Sequence, residues 1–495
     1  MSHGTGHDRL SLRARNRRAA SARTTLIPRP RSRRTALAVL TAAVTCGAMA
    51  LQPAVAQAGT TPVITTGTIN GANWKAEVPA NWNGTVLLWN HGIRLPTSTD
   101  RSAEIAPTGT DGSAEAALLA RGYALLGSSY RSQGFAVRDA VNDDLALLAA
   151  FKTSHPGRVT RTLVWGASLG GLITETLAEE RPTLFAGAAP GCGVLAGAVP
   201  IADQTLDSAL MVKAIMLPTL KVGGYTSDAD AAAAATAVKN GILSLLGNPA
   251  TSTGAAGRVL AIATLQGLPY QTESFNGRTI GSFVGAAAQG VITQASAQIL
   301  NSRDSIKKSG GVVATNIGTS YLAKANVEAV NRFQSLGLPG SLLRSYAATI
   351  DSRVTRVAAS ATARAAARLN GAPTGKLVIP VVTMHTEFDP FVTAGNEAIF
   401  AKRVAALGTG ARVLQLYVAP PVYADRTATG GGAPYGAGHC VFTTRQWLAQ
   451  LDTLTTFIAH GKAAAVTAVN SIWAADGAPG LNRTFTPIQW TSTAR

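Results

Sequence analysis

Short apolar runs that favour β-strands alternate with stretches of helical spacing in two separate parts of this chain. In the first part, residues 59–200, the helical stretches place their apolar residues on one face. The strands predicted there are 62–69, 72–78, 85–89, 123–129, 162–165 and 184–189, and the predicted helices are 113–121, 140–151 and 172–180. This alternation predicts an α/β fold, with a mostly parallel sheet and helices on both of its faces.

The same alternation resumes in the second part, residues 376–475. The run 376–384 is almost continuously apolar, which is typical of a central parallel strand buried on both sides. A helix (394–407), a strand (412–418) and a last helix (443–460, ended by Gly461) are predicted after it, and the tail 476–495 is predicted to be irregular. The two parts together therefore predict one sheet domain that a long insertion interrupts.

The insertion, residues 201–375, is rich in Ala, Leu, Gly, Ser and Thr at helical spacing. Examples of this spacing are 230–246, 283–300 and 323–336, and the stretch 342–369 is notably rich in Ala and Arg. We expect a mainly helical cap that lies over the sheet and contacts the substrate. The alternative is a separate helical interaction domain.

A serine between two glycines follows the predicted strand 162–165 and precedes a predicted helix, in the string Gly166-Ala-Ser168-Leu-Gly170. In a sharp strand-to-helix turn, side chains two residues before and after the serine would collide, which explains the glycines. Such a turn lifts the hydroxyl above the sheet at a helix N-terminus, where amide N–H groups can stabilise an oxyanion. The pattern predicts Ser168 as a nucleophile.

A nucleophilic serine needs a base, and the base needs a carboxylate that holds its tautomer. Asp389 follows the strand after the insertion, and His439 lies in the loop after the next strand, so the order Ser, Asp, His is complete. Glu387 is the alternative acid and His460 the alternative base. His385 and His91, which also end predicted strands, are read as structural hydrogen-bonding residues or as pocket residues.

The turn Asn90-His91-Gly92 directly after a buried strand suits a second oxyanion donor, because glycine lets the backbone turn its N–H inward. The alternative is that Gly92 merely ends the strand. Cys192 follows the strand 184–189 and Cys440 follows His439, so both are expected at the same end of the sheet. We therefore expect a Cys192–Cys440 disulfide that limits the movement of the His439 loop.

The formal charge of +18 is concentrated at the start of the chain, where residues 1–58 hold ten arginines and one aspartate. An arginine-rich region, an apolar run and small residues at Ala56 and Ala58 predict an export signal cleaved after Ala58, or alternatively after Ala56. The apolar run is too short and too alanine-rich for a stable membrane anchor. The remainder lacks a basic cluster interleaved with aromatic residues, so nucleic-acid binding is not expected. A secreted protein is predicted.

These motifs resemble those of the α/β-hydrolase superfamily, in which the chain is identified as a secreted member. The resemblance rests on Asn90-His-Gly92, on 166–171, on 385–392 and on Gly438-His439, and it does not cover the insertion. It implies that Ser168, His439 and Asp389 act as nucleophile, base and acid. It also implies an oxyanion hole from the backbone N–H of Leu169 and that of Gly92 or Ile93.

Gly171 and the overall layout are similar to the prolyl-oligopeptidase and feruloyl-esterase-like branches of that superfamily. The chain departs from the peptidase branch because it lacks a β-propeller domain and a tyrosine just after the His-Gly turn. Tyr130, after the neighbouring strand, is a weak substitute for that tyrosine.

The resulting expectation is a secreted serine hydrolase that cleaves small or polymeric carboxylic esters, without a metal or an organic cofactor. The second expectation is a serine peptidase or aminopeptidase, which needs a carboxylate in the cap to bind an amino terminus. The candidates for that carboxylate are Asp203, Asp207, Asp228 and Glu273. A third, remote alternative is a non-catalytic binding protein on the same fold.

Overall fold

The computed structural model describes residues 61–421 and 433–489. The predicted signal peptide, residues 1–58, lies outside the described residues, and the described residues belong to one compact unit. Within the described ranges, no helix combines the length and the apolar character that a membrane span requires.

A nine-stranded sheet forms the centre of this unit, and its strands lie in the order β1-β2-β4-β3-β5-β6-β7-β8-β9. The strands are β1 Val63–Ile69, β2 Ala72–Val78, β3 Thr85–Asn90, β4 Ala124–Ser128, β5 Arg161–Ala167, β6 Gly187–Gly191, β7 Val381–Thr386, β8 Val413–Val418 and β9 Leu481–Asn482. From β4 to β8 every neighbouring pair is parallel, whereas β1, β2 and β9 pair antiparallel. The mostly parallel sheet predicted from the sequence is confirmed.

Helices cover both faces of this sheet, so every residue of β3, β4, β6 and β7 is buried. They are α1 Glu115–Ala120, α2 Val137–Ser154, α3 Leu169–Glu180, α12 Gly395–Ala406 and α13 Thr444–Ala475. On β3, Val86 and Leu88 pack in the core that includes residues of α2, α3 and α12. Leu87 and Trp89 point to the other face and pack in the core with residues of α1 and α13. Burial on both faces explains the continuous apolar runs.

The described residues between β6 and β7 form helices and connecting loops, with no strand among them. The helices are α4 Ala198–Ile215, α5 Asp228–Gly247, α6 Ser252–Leu265, α7 Ile280–Ser309, α8 Tyr321–Lys324, α9 Val327–Gln334, α10 Gly340–Arg353 and α11 Ala361–Leu369. They bury their own apolar cluster, to which Val259, Val291 and Phe333 belong. We call residues 198–369 the helical layer.

Several predicted boundaries differ from the structure. The strand predicted at 376–384 begins only at Val381, directly after Pro380, whose missing N–H cannot join a ladder. The helix predicted to end at His460 resumes after a kink at Gly461, which has φ 82°, and continues to Ala475. The tail predicted to be irregular contributes β9, which pairs with β8.

Candidate active site

Ser168 lies at the turn between β5 and α3 with φ 61° and ψ −120°, a backbone conformation that residues other than glycine rarely adopt. The flanking glycines are required by contact with β3. A Cβ at Gly166 would lie 2.6 Å from the Asn90 carbonyl oxygen, and a Cβ at Gly170 would overlap the same oxygen. The strained serine between two obligatory glycines is the strand-to-helix elbow that the sequence predicts.

His439 connects Ser168 to Asp389. Its Nε2 lies 2.7 Å from Ser168 Oγ, and its Nδ1 lies 2.7 Å from Asp389 Oδ2. When Nδ1 carries the hydrogen, it donates to the carboxylate, and Nε2 accepts from the serine hydroxyl. The structure therefore brings together the three residues that the sequence selected, in the arrangement of a Ser-His-Asp triad.

The backbone holds the acid in place. Asp389 is fully buried, and its Oδ1 accepts hydrogen bonds from the N–H groups of Phe391, at 2.8 Å, and Val392, at 2.9 Å. These two donors leave Oδ2 for His439. Their role was not predicted, although both residues stand in the string 385–392 that carries the resemblance.

Backbone hydrogen bonds join the loop of the acid to the loop of the base. Phe388 N–H donates to the Gly436 carbonyl at 3.3 Å, and Gly438 N–H donates to the Phe388 carbonyl at 2.8 Å. The Thr386 hydroxyl donates to the Gly438 carbonyl at 2.8 Å. The residue before His439 is thus fixed to the residue before Asp389.

A disulfide between Cys192 and Cys440 fixes the base loop from the other side. The two Cα atoms lie 5.5 Å apart, within the usual range for a disulfide. Cys192 follows β6, and its N–H donates to the Met384 carbonyl of β7 at 2.7 Å. The covalent link therefore ties the residue after His439 to the centre of the sheet.

The two alternative residues lie elsewhere. Glu387 accepts a hydrogen bond from Asn482 of β9 at 2.6 Å, and burial raises the pKa of Glu387. His460 is exposed near the middle of α13. Neither makes a hydrogen bond to His439 or Ser168, so the structure favours Asp389 and His439.

His91 supports the backbone beside Ser168. Its Nδ1 lies 2.6 Å from the Gly92 carbonyl oxygen, and its ring stacks on Tyr130 with the ring centres 4.1 Å apart. The Tyr130 hydroxyl donates to the His91 carbonyl at 3.2 Å. Burial, followed by the charge of Arg94, lowers the pKa of His91. His91 therefore has the structural role that was one of its two predicted roles.

A cavity of about 140 Å³ opens at Ser168, between the sheet and the helical layer. Ile93, Leu169 and Val392 line it beside Ser168. Its other walls are largely small or apolar: Phe135, Val194, Ala198, Ile201, Ala202, Thr205, Ala297, Ile306, Val312, Val313, Ala314, Ala367 and Phe391. The polar side chains on its wall include Gln298, Asn301, Ser302, Ser305, Lys308, Ser309 and Asn370. The wall residues of the helical layer were not predicted individually.

Three of the four carboxylates considered for binding an amino terminus are ion-paired. Asp203 contacts Arg364 at 2.8 Å, Asp207 contacts Lys324 at 2.7 Å, and Asp228 contacts Arg303 at 2.8 Å. The fourth, Glu273, lies beside the loop that carries His439.

Glu273 reaches from the helical layer to the loop that carries His439. Its Oε1 accepts from Gln289 at 2.6 Å, whereas its buried Oε2 has no hydrogen-bond partner among the described residues. A Cβ at Gly438 would lie 2.5 Å from that Oε2. Among the described residues, Glu273 is therefore the one of these four carboxylates that has an oxygen without a hydrogen-bond partner near the loop of the base.

A mostly parallel sheet with helices on both faces, and a serine at a strand-to-helix elbow with its acid and base after later strands, define the α/β-hydrolase fold. This chain has that fold. No protein-family model matches the sequence, and no curated protein matches it.

Three solved structures that are similar to this chain are distant from it in sequence. An esterase from Aspergillus oryzae is 12% identical with a TM-score of 0.40, covering 80% of this chain and 79% of its own. Feruloyl esterase B from Aspergillus oryzae has the same identity and coverage with a TM-score of 0.35. Proline iminopeptidase from Mycobacterium smegmatis is 13% identical with a TM-score of 0.32, covering 83% of this chain and 99% of its own. These values add nothing to what the sheet itself shows.

Proposed function

We propose that this protein is a serine hydrolase that cleaves carboxylic esters through an acyl-enzyme. The observation that carries the proposal is the line of hydrogen bonds from Ser168 through His439 to Asp389. Ser168 Oγ attacks the ester carbonyl while its proton passes to His439 Nε2. Asp389 stabilises the imidazolium, which then protonates the leaving alcohol. A water molecule, with His439 as base, then attacks the acyl-enzyme, and the carboxylic acid leaves as Ser168 is restored.

The oxyanion of the tetrahedral intermediate is stabilised by two backbone N–H groups. Leu169 begins α3, so its N–H has no carbonyl within the helix to bind. The His91 ring bonds the Gly92 carbonyl, and in a trans peptide the Ile93 N–H points the opposite way. Ile93 and Leu169 both line the cavity with Ser168, which favours Ile93 over Gly92 as the second donor.

The wall of the cavity favours an apolar acyl group. The wall includes Val194, Ile201 and Phe391, and Lys308 is the charged residue in the part of the wall that the structure describes. Burying each methylene of an acyl chain against such a wall contributes about 0.8 kcal/mol. A medium-length aliphatic or an aromatic acyl group is therefore the substrate class proposed.

The test compares wild type and Ser168→Ala on p-nitrophenyl esters of graded acyl length and on aminoacyl and peptidyl anilides. We expect ester hydrolysis by wild type, and a fall of kcat by at least about 10⁴-fold in the variant, whose near-UV circular dichroism should be unchanged. Ester hydrolysis that survives the substitution contradicts the mechanism. Hydrolysis of anilides in place of esters contradicts the substrate class.

A second candidate is an aminopeptidase, and the unpartnered oxygen of Glu273 is the observation that favours it. A buried carboxylate oxygen beside the base loop suits an ammonium group, which would supply the missing donor. If anilides with a free amino terminus are hydrolysed, Glu273→Gln should raise KM for them and leave N-acylated anilides unaffected. Equal activity on free and blocked termini excludes this role for Glu273.

We also propose that the protein is exported. The support is the arginine-rich and then apolar sequence of residues 1–58 together with the disulfide, which is typical of oxidising compartments. N-terminal sequencing of the protein recovered from culture medium tests this proposal. A mature chain that begins at Gly59 is expected, and a chain retained inside the cell with its first residues intact contradicts it.

A further inference from the structure

A second histidine, His385, lies behind the acid. It is fully buried at the end of β7, and its Nε2 lies 2.7 Å from the Val392 carbonyl oxygen. A carbonyl only accepts, so Nε2 must carry a hydrogen. The N–H of the same Val392 donates to Asp389 Oδ1. His385 thus anchors the turn whose amides hold the acid.

The other ring nitrogen faces a carboxylate. His385 Nδ1 lies 3.4 Å from Glu397 Oε1 on α12, and both side chains are fully buried. With Nε2 protonated, a neutral ring would present the lone pair of Nδ1 to the lone pairs of Glu397, which repel each other. A hydrogen must therefore lie between Nδ1 and Oε1.

The surroundings of Glu397 decide which partner holds that hydrogen. Glu397 Oε2 accepts from the Thr383 hydroxyl at 2.8 Å and from Gln415 Nε2 at 2.5 Å. Hydrogen-bond donors to a carboxylate oxygen stabilise its ionised form, and Oε2 has two of them. The hydrogen then belongs to the ring, and the pair is an imidazolium and a carboxylate.

We propose that His385 is a positioning residue for Asp389: a buried imidazolium, paired with Glu397, that fixes the turn 389–392 and stabilises the ionised Asp389 carboxylate. Its Nε2 lies 3.7 Å from Asp389 Oδ2, the oxygen that also accepts from His439. The effect on catalysis rests on the proposed function, in which Ser168, His439 and Asp389 act as a catalytic triad. The charge of His385 is independent of that function.

The titratable groups around His385 agree with this charge. Burial alone lowers the pKa of His385, but the hydrogen bond and charge of Glu397, with the charge of Asp389, outweigh it and raise the pKa. Glu175 of α3 and Tyr417 of β8 interact electrostatically with Glu397, and burial raises the pKa of each, which favours the neutral form of both. His385 thus lies between the carboxylates of Glu397 and Asp389, and its pKa is raised.

The charge is tested directly by NMR of protein labelled with ¹⁵N at histidine, in which His385→Gln assigns the ring signals. We expect both His385 ring nitrogens at protonated positions throughout pH 6–8. An unprotonated nitrogen at pH 7 overturns the proposal. The experiment does not require a substrate, so its failure is distinguishable from a failure of the proposed esterase activity.

The positioning role is tested by the pH dependence of kcat/KM. Removing a cation near Asp389 lets His439 take up a proton at higher pH, so His385→Gln should move the acidic limb upward by at least ~0.5 pH unit. Gln retains a donor for Val392, so the loss of charge is the main change. The double variant His385→Gln, Glu397→Gln also lacks the carboxylate that His385 balanced. Its acidic limb should therefore move most of the way back to the wild-type pH.

His460→Gln, which removes an exposed histidine of α13, is the matched control and should leave the profile unchanged. A lower kcat in both His385 variants without any movement of the acidic limb would mean that His385 only supports the fold. That outcome also overturns the proposal.

Discussion

Two carboxylates in the loop after β7 differ in what they contact. Asp389 Oδ2 accepts from His439, and its Oδ1 is held by two amides, whereas Glu387 bonds Asn482 of β9. The two carboxylates are two residues apart in the same loop. Replacing each by its amide therefore distinguishes a role in catalysis from a role in the local structure.

Asp389→Asn should lower kcat by about 10⁴-fold, because an amide that donates to His439 Nδ1 stabilises the wrong tautomer. Glu387→Gln keeps a hydrogen bond to Asn482 and should change kcat less than threefold. The measurement is steady-state hydrolysis of one ester by both variants, with circular dichroism to confirm folding. A larger loss in Glu387→Gln than in Asp389→Asn would assign the acid to the other carboxylate.

At the scale of residues, a residue of the candidate site could be predicted from the sequence where a local motif or its order along the chain identifies it. The motif Gly166-Ala-Ser168-Leu-Gly170 is visible within five residues of sequence, and Asp389 and His439 were selected by their order after strands. The contact with Asn90 of β3 that requires the two glycines is long-range and was not predicted. The partner of His385 was not predictable, because Glu397 reaches it from the next helix and glutamates are common on helices. Only packing decides which of them faces inward.

The loop 433–443, which carries His439, has no regular secondary structure. It is held by backbone hydrogen bonds to the acid loop and by the Cys192–Cys440 disulfide. The N-terminal end of α13 then closes it, where Thr443 and Gln446 form a capping box. The position of the base depends on all three supports.

The double variant Cys192→Ala, Cys440→Ser should unfold at a lower temperature, with a loss of about 2–4 kcal/mol in the free energy of unfolding. We also expect kcat/KM to fall, because His439 loses one of its supports and spends less time at bonding distance from Ser168. Wild type treated with reductant, measured beside the oxidised form, is the comparison. Lower stability with unchanged kcat/KM would show that the disulfide supports the fold alone.

At the scale of elements, the type of each element was predicted more reliably than its bounds. The stretch 342–369, which was noted only as rich in Ala and Arg, forms two helices, α10 and α11, because the chain is extended at Val354 and again at Ser360. β9 has only two residues and forms because the tail returns to the edge of β8. Such a long-range pairing leaves no periodic pattern in a sequence.

At the scale of the whole molecule, the substrate cavity belongs to two layers. The chain segments that follow β5 and β7 supply Ser168, Leu169 and Phe391, and the helical layer supplies the opposite walls from α4, α7 and α11. The sequence predicted that this layer is helical and lies near the site. It did not reveal which helix faces inward, because Ala and Ser occur on all sides of these helices. The shape of the cavity therefore had to come from the structure.

Many wall residues of the helical layer are small, so one enlarged side chain should shorten the acyl group that the cavity accepts. Ala297→Phe on α7 should lower kcat/KM for an octanoate ester by about 10–200-fold relative to an acetate ester, since the lost space removes about 1–3 kcal/mol of binding. Ala233→Phe, at an exposed position of α5, adds the same ring away from the cavity and should leave this ratio unchanged. The ratio is measured with p-nitrophenyl esters. An unchanged ratio in Ala297→Phe would place the acyl group elsewhere.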